Sequence, residues 1–257
     1  MKTALITGAT SGIGWATAQL LAQNNYRLIL CGRRQERLDQ LCHKLMSDDV
    51  GIHTLQFDVS DQQAVLQQIQ SLPEPFKHID VLINNAGNAH GLGPIQDGSL
   101  EDWDAMLDSN VRGLLYVTKA VLPLMLENGA GHIVNIGSIA GKEVYPNGNV
   151  YCATKHAVDA LTQGMRIDLN GTGIRVTAIN PGLVETEFSK IRFKGDEERA
   201  AQVYTGYKPL SPEDIAQTIH FALSCPPHVT IADLTVLPTA QASATVLIRS
   251  RSNCFFS

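Results

Sequence analysis

Short runs in which nearly every position is apolar alternate with stretches whose apolar residues recur every three or four positions. Residues 3–7 (TALIT), 26–31 (YRLILC), 53–59, 80–84 (DVLIN), 132–136 (HIVNI), 174–180 and 234–237 are the runs. Their length and branched content predict buried strands. Between them, 12–24 places Ile13, Ala16, Leu20 and Leu21 on one side, and 34–46 repeats Leu38, Leu41 and Leu45, so both predict helices. A capping pair of Ser60 and Gln63 predicts the start of a third helix. Ser99-x-x-Asp102 predicts the start of a long fourth one running to about Glu127, and a fifth spans 149–170. Ser211 before Pro212 predicts an N-cap with proline at the first helical position.

Strands alternating with helices imply right-handed crossovers. The expected fold is a single Rossmann-type α/β unit, a doubly wound parallel sheet of about seven strands with helices on both faces. No linker or composition break divides residues 1–257, so one dinucleotide-binding catalytic domain is expected. Residues 183–210 lack a clear period and carry Gly195, Gly206 and Pro209, which suits a substrate lid. Residues 242–257 form an irregular tail whose Phe255-Phe256 is either disordered or packed on a neighbouring subunit.

Composition narrows the function. The chain is 44% hydrophobic and 18% charged, the profile of an ordered globular protein. A net charge of −5 without any long basic run argues against a nucleic-acid partner. No apolar stretch has the length of a membrane span, and the N-terminal run is too short for a signal peptide. The five cysteines are scattered without a C-x-x-C pair, which fits reduced thiols and a cytoplasmic protein. The eight histidines form no metal-ligand pattern, so no metal is expected.

Two places carry candidate chemistry. The turn Thr7-Gly8-Ala9-Thr10-Ser11-Gly12-Ile13-Gly14 joins the first strand to the first helix. Its glycines allow the backbone to approach a pyrophosphate, which then sits on a helix N-terminus. The second strand ends in Gly32-Arg33-Arg34, where other dinucleotide folds place an acidic residue for the ribose. Two guanidiniums there suit the 2′-phosphate of NADP(H). Further along, Tyr151 and Lys155 stand four apart on one helical face. An ammonium that stabilises the phenolate would make this pair a general acid/base. Ser138 follows the fifth strand, where such sheets collect their active sites, and its hydroxyl can hold a substrate oxygen. Asn110 sits mid-helix, a poor place for asparagine unless it has a task. His156 is read as a packing or surface residue.

Taken together these motifs resemble the short-chain dehydrogenase/reductase family over nearly the whole chain. The glycine motif is Gly8–Gly14 and the N-N-A-G motif is Asn84-Asn85-Ala86-Gly87. The resemblance implies that Tyr151 exchanges the proton and Ser138 orients the substrate oxygen. It implies that Lys155 holds the nicotinamide ribose and depresses the tyrosine, and that Asn110 fixes a water leading to Lys155. Cofactor contacts would come from Gly8, Thr10, Ser11, Gly12, Ile13, Gly14, Arg33, Arg34, Asp58, Val59, Asn85, Ala86, Gly87, Tyr151, Lys155, Pro181, Gly182 and Val184. Thr186 would contact the carboxamide.

The stretches 185–189, 192–196 and 237–241 are similar to the NADP-dependent 3-hydroxy acid dehydrogenases, which implies serine, allo-threonine or malonic semialdehyde chemistry. A substrate carboxylate needs a cation, and Arg192 is the candidate beside Ser138 and Tyr151. The competing readings are a reductase of uncharged ketones, aldehydes or sugars, and an NADP(H)-binding regulatory protein. Retention of both Tyr151 and Lys155 speaks against the last. The resemblance also implies a homo-oligomer, by family habit a tetramer joined through the fourth and fifth helices.

Overall fold

The computed structural model describes residues 1–45 and 51–250; the end of the second predicted helix at Met46 and the tail residues 251–257, with Phe255-Phe256, lie outside the described residues. Seven parallel strands form one sheet in the order β3-β2-β1-β4-β5-β6-β7. They are β1 (Lys2–Thr7), β2 (Tyr26–Gly32), β3 (Ile52–Gln56), β4 (Val81–Asn84), β5 (Gly131–Ile136), β6 (Ile174–Pro181) and β7 (Asp233–Val236). The helices between them are α1 (Gly12–Gln23), α2 (Gln35–Leu45), α3 (Gln62–Gln70), α4 (Glu74–Lys77), α5 (Leu100–Leu107), α6 (Gly113–Glu127), α7 (Asn149–Asp168), α8 (Phe188–Arg192), α9 (Glu197–Gln202) and α10 (Pro212–Ser224).

The continuous apolar runs are explained by two cores, one on each face of the sheet. Successive side chains of a strand point to opposite faces. Ala4 and Ile6 of β1 therefore join Leu28 and Leu30 of β2 under α1, α2 and α10. Leu5 and Ile29, one residue out of step, pack instead with Val65 and Ile69 of α3 and with Val117, Val121 and Met125 of α6. The doubly wound sheet expected from the sequence is thus observed. Strand order reverses direction between β1 and β4, and the crevice at that switch point is where a ligand site belongs.

Four local expectations are corrected. The N-cap of α3 is Asp61, whose carboxylate accepts from the backbone of Gln63 and Ala64, rather than Ser60 paired with Gln63. Ser60 is engaged elsewhere, donating to Asp58 through both its backbone and its hydroxyl. The third strand ends at Gln56, three residues short of the expected end, because the chain turns at Asp58. The long helix expected over 99–127 is interrupted by a π-helical turn, Asp108–Arg112, between α5 and α6. Finally, 183–210 contains the two short helices α8 and α9. Asp196 caps the second of these by accepting from Arg199 N. By contrast, Ser211 and Asp214 form the full capping box at α10, with Pro212 at its start as expected.

A chain of buried amides runs beneath the middle of the sheet. Asn84 Nδ2 donates to Asn135 Oδ1 and to Thr118 Oγ1, and Asn135 Nδ2 donates to Thr162 Oγ1, each at 2.9 Å. It ties β4 and β5 to α6 and α7. Among the described residues no helix is long and apolar enough to cross a membrane. Asn135→Leu keeps the volume but removes one hydrogen bond each from the buried Asn84 Nδ2 and Thr162 Oγ1, which keep Thr118 and Val158 as partners. It is expected to lower the unfolding free energy by roughly 1–3 kcal/mol in urea titration, since each lost bond costs about 0.5–1.5 kcal/mol.

Candidate active site

The site begins with the turn from β1 to α1. Gly8 and Gly12 both have positive φ, +65° and +52°, which an L side chain adopts only with strain. Gly14 is constrained differently: a Cβ there would lie 2.3 Å from Gly8 O. The strand-to-helix turn is closed so tightly that only hydrogen fits. Asn85 clasps it from the next strand, donating from Nδ2 to Thr7 O and Gly8 O at 2.9 and 3.2 Å. Thr7 Oγ1 in return accepts from Asn85 N and Ala86 N, at 3.0 Å each. Ser11 caps α1 by position but makes no side-chain cap bond. The first-turn N–H groups of α1 therefore face the crevice, which is an anion site in waiting.

At the far end of the crevice stand Arg33 and Arg34. Arg33 Nη1 pairs with Asp58 Oδ2 at 3.1 Å. Burial acts to raise the Asp58 carboxyl, but Ser60 and Arg33 together hold it below its ordinary value. Arg34 is braced on Thr10, and α2 begins just beyond it, with Glu36 in its first turn. Val59 and Gly87 line the same cavity, of about 500 Å³, as do Pro181, Gly182, Val184 and Thr186. Thr186 reaches back over the glycine turn, its methyl 3.2 Å from where a Cβ of Gly12 would stand. The cavity therefore takes in all the expected cofactor residues except Gly14, which lies beneath its floor as the backbone contact.

Ser138, Tyr151 and Lys155 meet in the same cavity. Ser138 stands just after β5 and its Oγ accepts from Ala140 N at 3.1 Å, which fixes the hydroxyl at the start of a 3₁₀ turn. Tyr151 and Lys155 come from the first two turns of α7 and are both buried. Lys155 Nζ donates to Ile136 O at 3.0 Å and lies 6.0 Å from the Tyr151 ring centre. Burial pushes the Lys155 ammonium down to about 8. Burial pushes the Tyr151 phenol up, with Tyr145 adding to it and the Ser138 hydroxyl and Arg192 acting the other way. Lys155 is not among the groups that move the phenol in this arrangement, and desolvation is the largest influence on it.

Asn110 lies in the π turn and is buried. Its Nδ2 donates to Asn88 O and Thr154 Oγ1, and its Oδ1 accepts from Asn88 N and Ser109 Oγ. All four bonding positions of the amide are used. The side chain therefore clamps the loop after β4 and has no position left for the expected water; only its main chain could hold one. His156 is exposed, with Nδ1 against Cys152 O, as expected of a residue outside the chemistry.

Arg192, from the end of α8, reaches Tyr151. Its guanidinium stands 5.5 Å from the Tyr151 ring centre and 5.4 Å from that of Tyr145. Nε donates to Gly91 O at 3.2 Å, while Nη2 is buried without a partner. Sequence reasoning missed Tyr145, which lies in an irregular stretch with no period to mark it. It missed the role of Gln241 as well. This buried amide accepts from Leu183 N at 2.9 Å and holds the root of 183–210.

The described fold and site now have relatives to stand beside. A family model described as short chain dehydrogenase matches residues 2–197. The chain belongs to the short-chain dehydrogenase family. Over 93% of its length this dehydrogenase is 47% identical to sulfoacetaldehyde reductase 2 of Chromohalobacter salexigens, covering 94% of that protein. It is 44% identical to an NADP-dependent 3-hydroxy acid dehydrogenase of Schizosaccharomyces pombe, with 98% of each covered. Among solved structures, the closed form of serine dehydrogenase complexed with NADP+ superimposes with a TM-score of 0.90 at 43% identity, covering 97% of this chain and 100% of that one.

The buried ammonium has a consequence for stability. Between pH 8 and the ordinary lysine value of 10.5, the folded dehydrogenase releases a proton that the unfolded chain retains, so this group favours folding more as pH rises. Lys155→Met is expected to abolish activity yet raise the unfolding free energy of the cofactor-free protein at pH 7, by on the order of 2–3 kcal/mol. The gain should shrink as the pH of the denaturation experiment is raised through 8 toward 10.5.

Proposed function

We propose that this dehydrogenase transfers a hydride between NADP(H) and a small 3-hydroxy acid of the serine, allo-threonine or 3-hydroxypropionate type. The observation that carries the substrate class is Arg192. A guanidinium with a buried, unpartnered Nη2 beside the proton-transferring tyrosine is costly unless an anion completes it. The cofactor reading rests on the glycine cradle, the uncapped start of α1 and the arginines at the end of β2, and relatives named NADP-dependent agree with it.

When bound, the nicotinamide supplies or accepts the hydride. The residues do the rest. Tyr151 takes the hydroxyl proton in oxidation and returns it in reduction, at its phenol oxygen. Ser138 Oγ orients the substrate oxygen. Lys155 holds the nicotinamide ribose, and its charge favours the phenolate once substrate and cofactor have excluded water. Arg192 holds the carboxylate two carbons from the reacting centre. Residues 183–210 act as the lid: Leu210 N donates to Leu183 O and Glu185 N to Leu210 O, so the two ends of the segment meet as a hinge.

A second reading has a specific observation behind it. The relative named sulfoacetaldehyde reductase acts on a molecule in which a sulfonate replaces the carboxylate, and Arg192 would serve either anion. A homotetramer in the cytoplasm is the assembly and setting we propose. The exposed Leu107 and Leu115 on α5 and α6, and Ile167 on α7, are apolar contacts suited to the pairing of these helices.

Absorbance of the nicotinamide, followed with 3-hydroxypropionate, L-serine, L-allo-threonine, isethionate and neutral secondary alcohols, separates the readings. NADP+-linked turnover of the 3-hydroxy acids, lost in Tyr151→Phe, is expected. Arg192→Ala should raise KM for the acids by about 30- to 100-fold while leaving neutral alcohols nearly unaffected. Preference for isethionate would move the assignment to the sulfonate. An unchanged KM for the acids in Arg192→Ala would discard the anion site.

A further inference from the structure

Glu187 joins the first turn of the lid to the arginines at the adenine end of the crevice. Its Oε2 lies 3.0 Å from Arg34 Nη1, and its Oε1 lies 3.5 Å from Arg37 Nη2. The donors of Arg34 can be counted. Nε donates to Thr10 Oγ1 at 3.3 Å, and Nη2 donates to Thr10 O and Oγ1 at 3.1 and 3.2 Å. That edge of the guanidinium is committed to the protein. Nη1 is the nitrogen left to face an anion, and Glu187 already holds it. The carboxylate thus stands where this arginine would receive a phosphate.

We propose that Glu187 is a specificity-determining residue: an internal anion that occupies the Arg34–Arg37 pair until the 2′-phosphate of the cofactor displaces it. The inference rests on the NADP(H) reading above and adds to it a competitor and a connection to the lid. The exchange is favourable because a phosphate monoester brings more charge and three acceptor oxygens against one carboxylate. It is also quick, because both partners of the present pair are more than a third exposed and such pairs are weak. A dinucleotide without the phosphate leaves the pair intact. Glu187 follows Thr186 directly and is the N-cap of α8, the helix that ends in Arg192. Its release therefore unties one end of the lid only when the phosphorylated cofactor has arrived.

The fragments 2′,5′-ADP and 5′-AMP differ by this phosphate alone and stop short of Tyr151 and Lys155, so calorimetric titration with them isolates the effect. Glu187→Gln should bind 2′,5′-ADP roughly 3- to 10-fold more tightly than the wild type, with 5′-AMP changed by less than about 2-fold. Equal shifts for both fragments would mean a general loosening of the lid and would overturn the proposal. So would weaker binding of 2′,5′-ADP, which would make Glu187 part of the phosphate's own binding. In the wild type, trypsin should cut after Lys190 and Lys194 faster with 2′,5′-ADP than with 5′-AMP; no difference would overturn the connection to the lid. A wild type that binds the two fragments equally would instead sink the NADP(H) reading, whatever the variant does.

Discussion

The turn between β1 and α1 has to bring a helix start so close to a strand end that Gly14 leaves no room for a Cβ against Gly8 O. This contact sets the angle at which α1 leaves the sheet and points its unpaired N–H groups into the crevice. Asn85 then fastens the end of β4 to the same turn, so the two strands at the switch point share one backbone geometry. Everything else in the site is measured from there. Ser138 follows the neighbouring strand β5, and α7 lies close enough for Lys155 to reach Ile136 O.

Polar groups in the interior are used differently on the two sides of this turn. Beneath the sheet, Asn84, Asn135, Thr118 and Thr162 bond to one another and hold strands to helices. In the crevice, Lys155 and Tyr151 are buried with few partners, and each is pushed toward its neutral form. Burial there costs stability, and in the proposed mechanism the return is a proton-exchanging pair whose balance a bound cofactor and substrate can tip. Arg192 belongs to the same group, with one nitrogen buried and unanswered.

The segment 183–210 links the two ends of the ligand site. Its first residues cover the glycine turn through Thr186 and grip Arg34 through Glu187, and its first helix delivers Arg192 to Tyr151. Its far end is held by the tail. Arg249 donates to the carbonyls of Gln202, Val203 and Thr205, and Ser250 N donates to Gly206 O. Separate anchors at its two ends are what the proposed lid requires.

The strands and most helices were legible because burial on both faces of a parallel sheet leaves a local record, apolar runs and three-to-four spacing, in consecutive residues. The phosphate turn, the Tyr151–Lys155 pair and Ser138 were legible for the same reason: each is a short motif whose geometry is set within one turn of chain. The π turn at Asp108–Arg112, the true cap at Asp61 and the helices of the lid were not, since competing side-chain hydrogen bonds decide them. Tertiary structure alone brought Glu187 to Arg34 across 153 positions and set Tyr145 beneath Arg192. No local pattern encodes such meetings, because they depend on where residues 183–210 come to lie against the finished sheet.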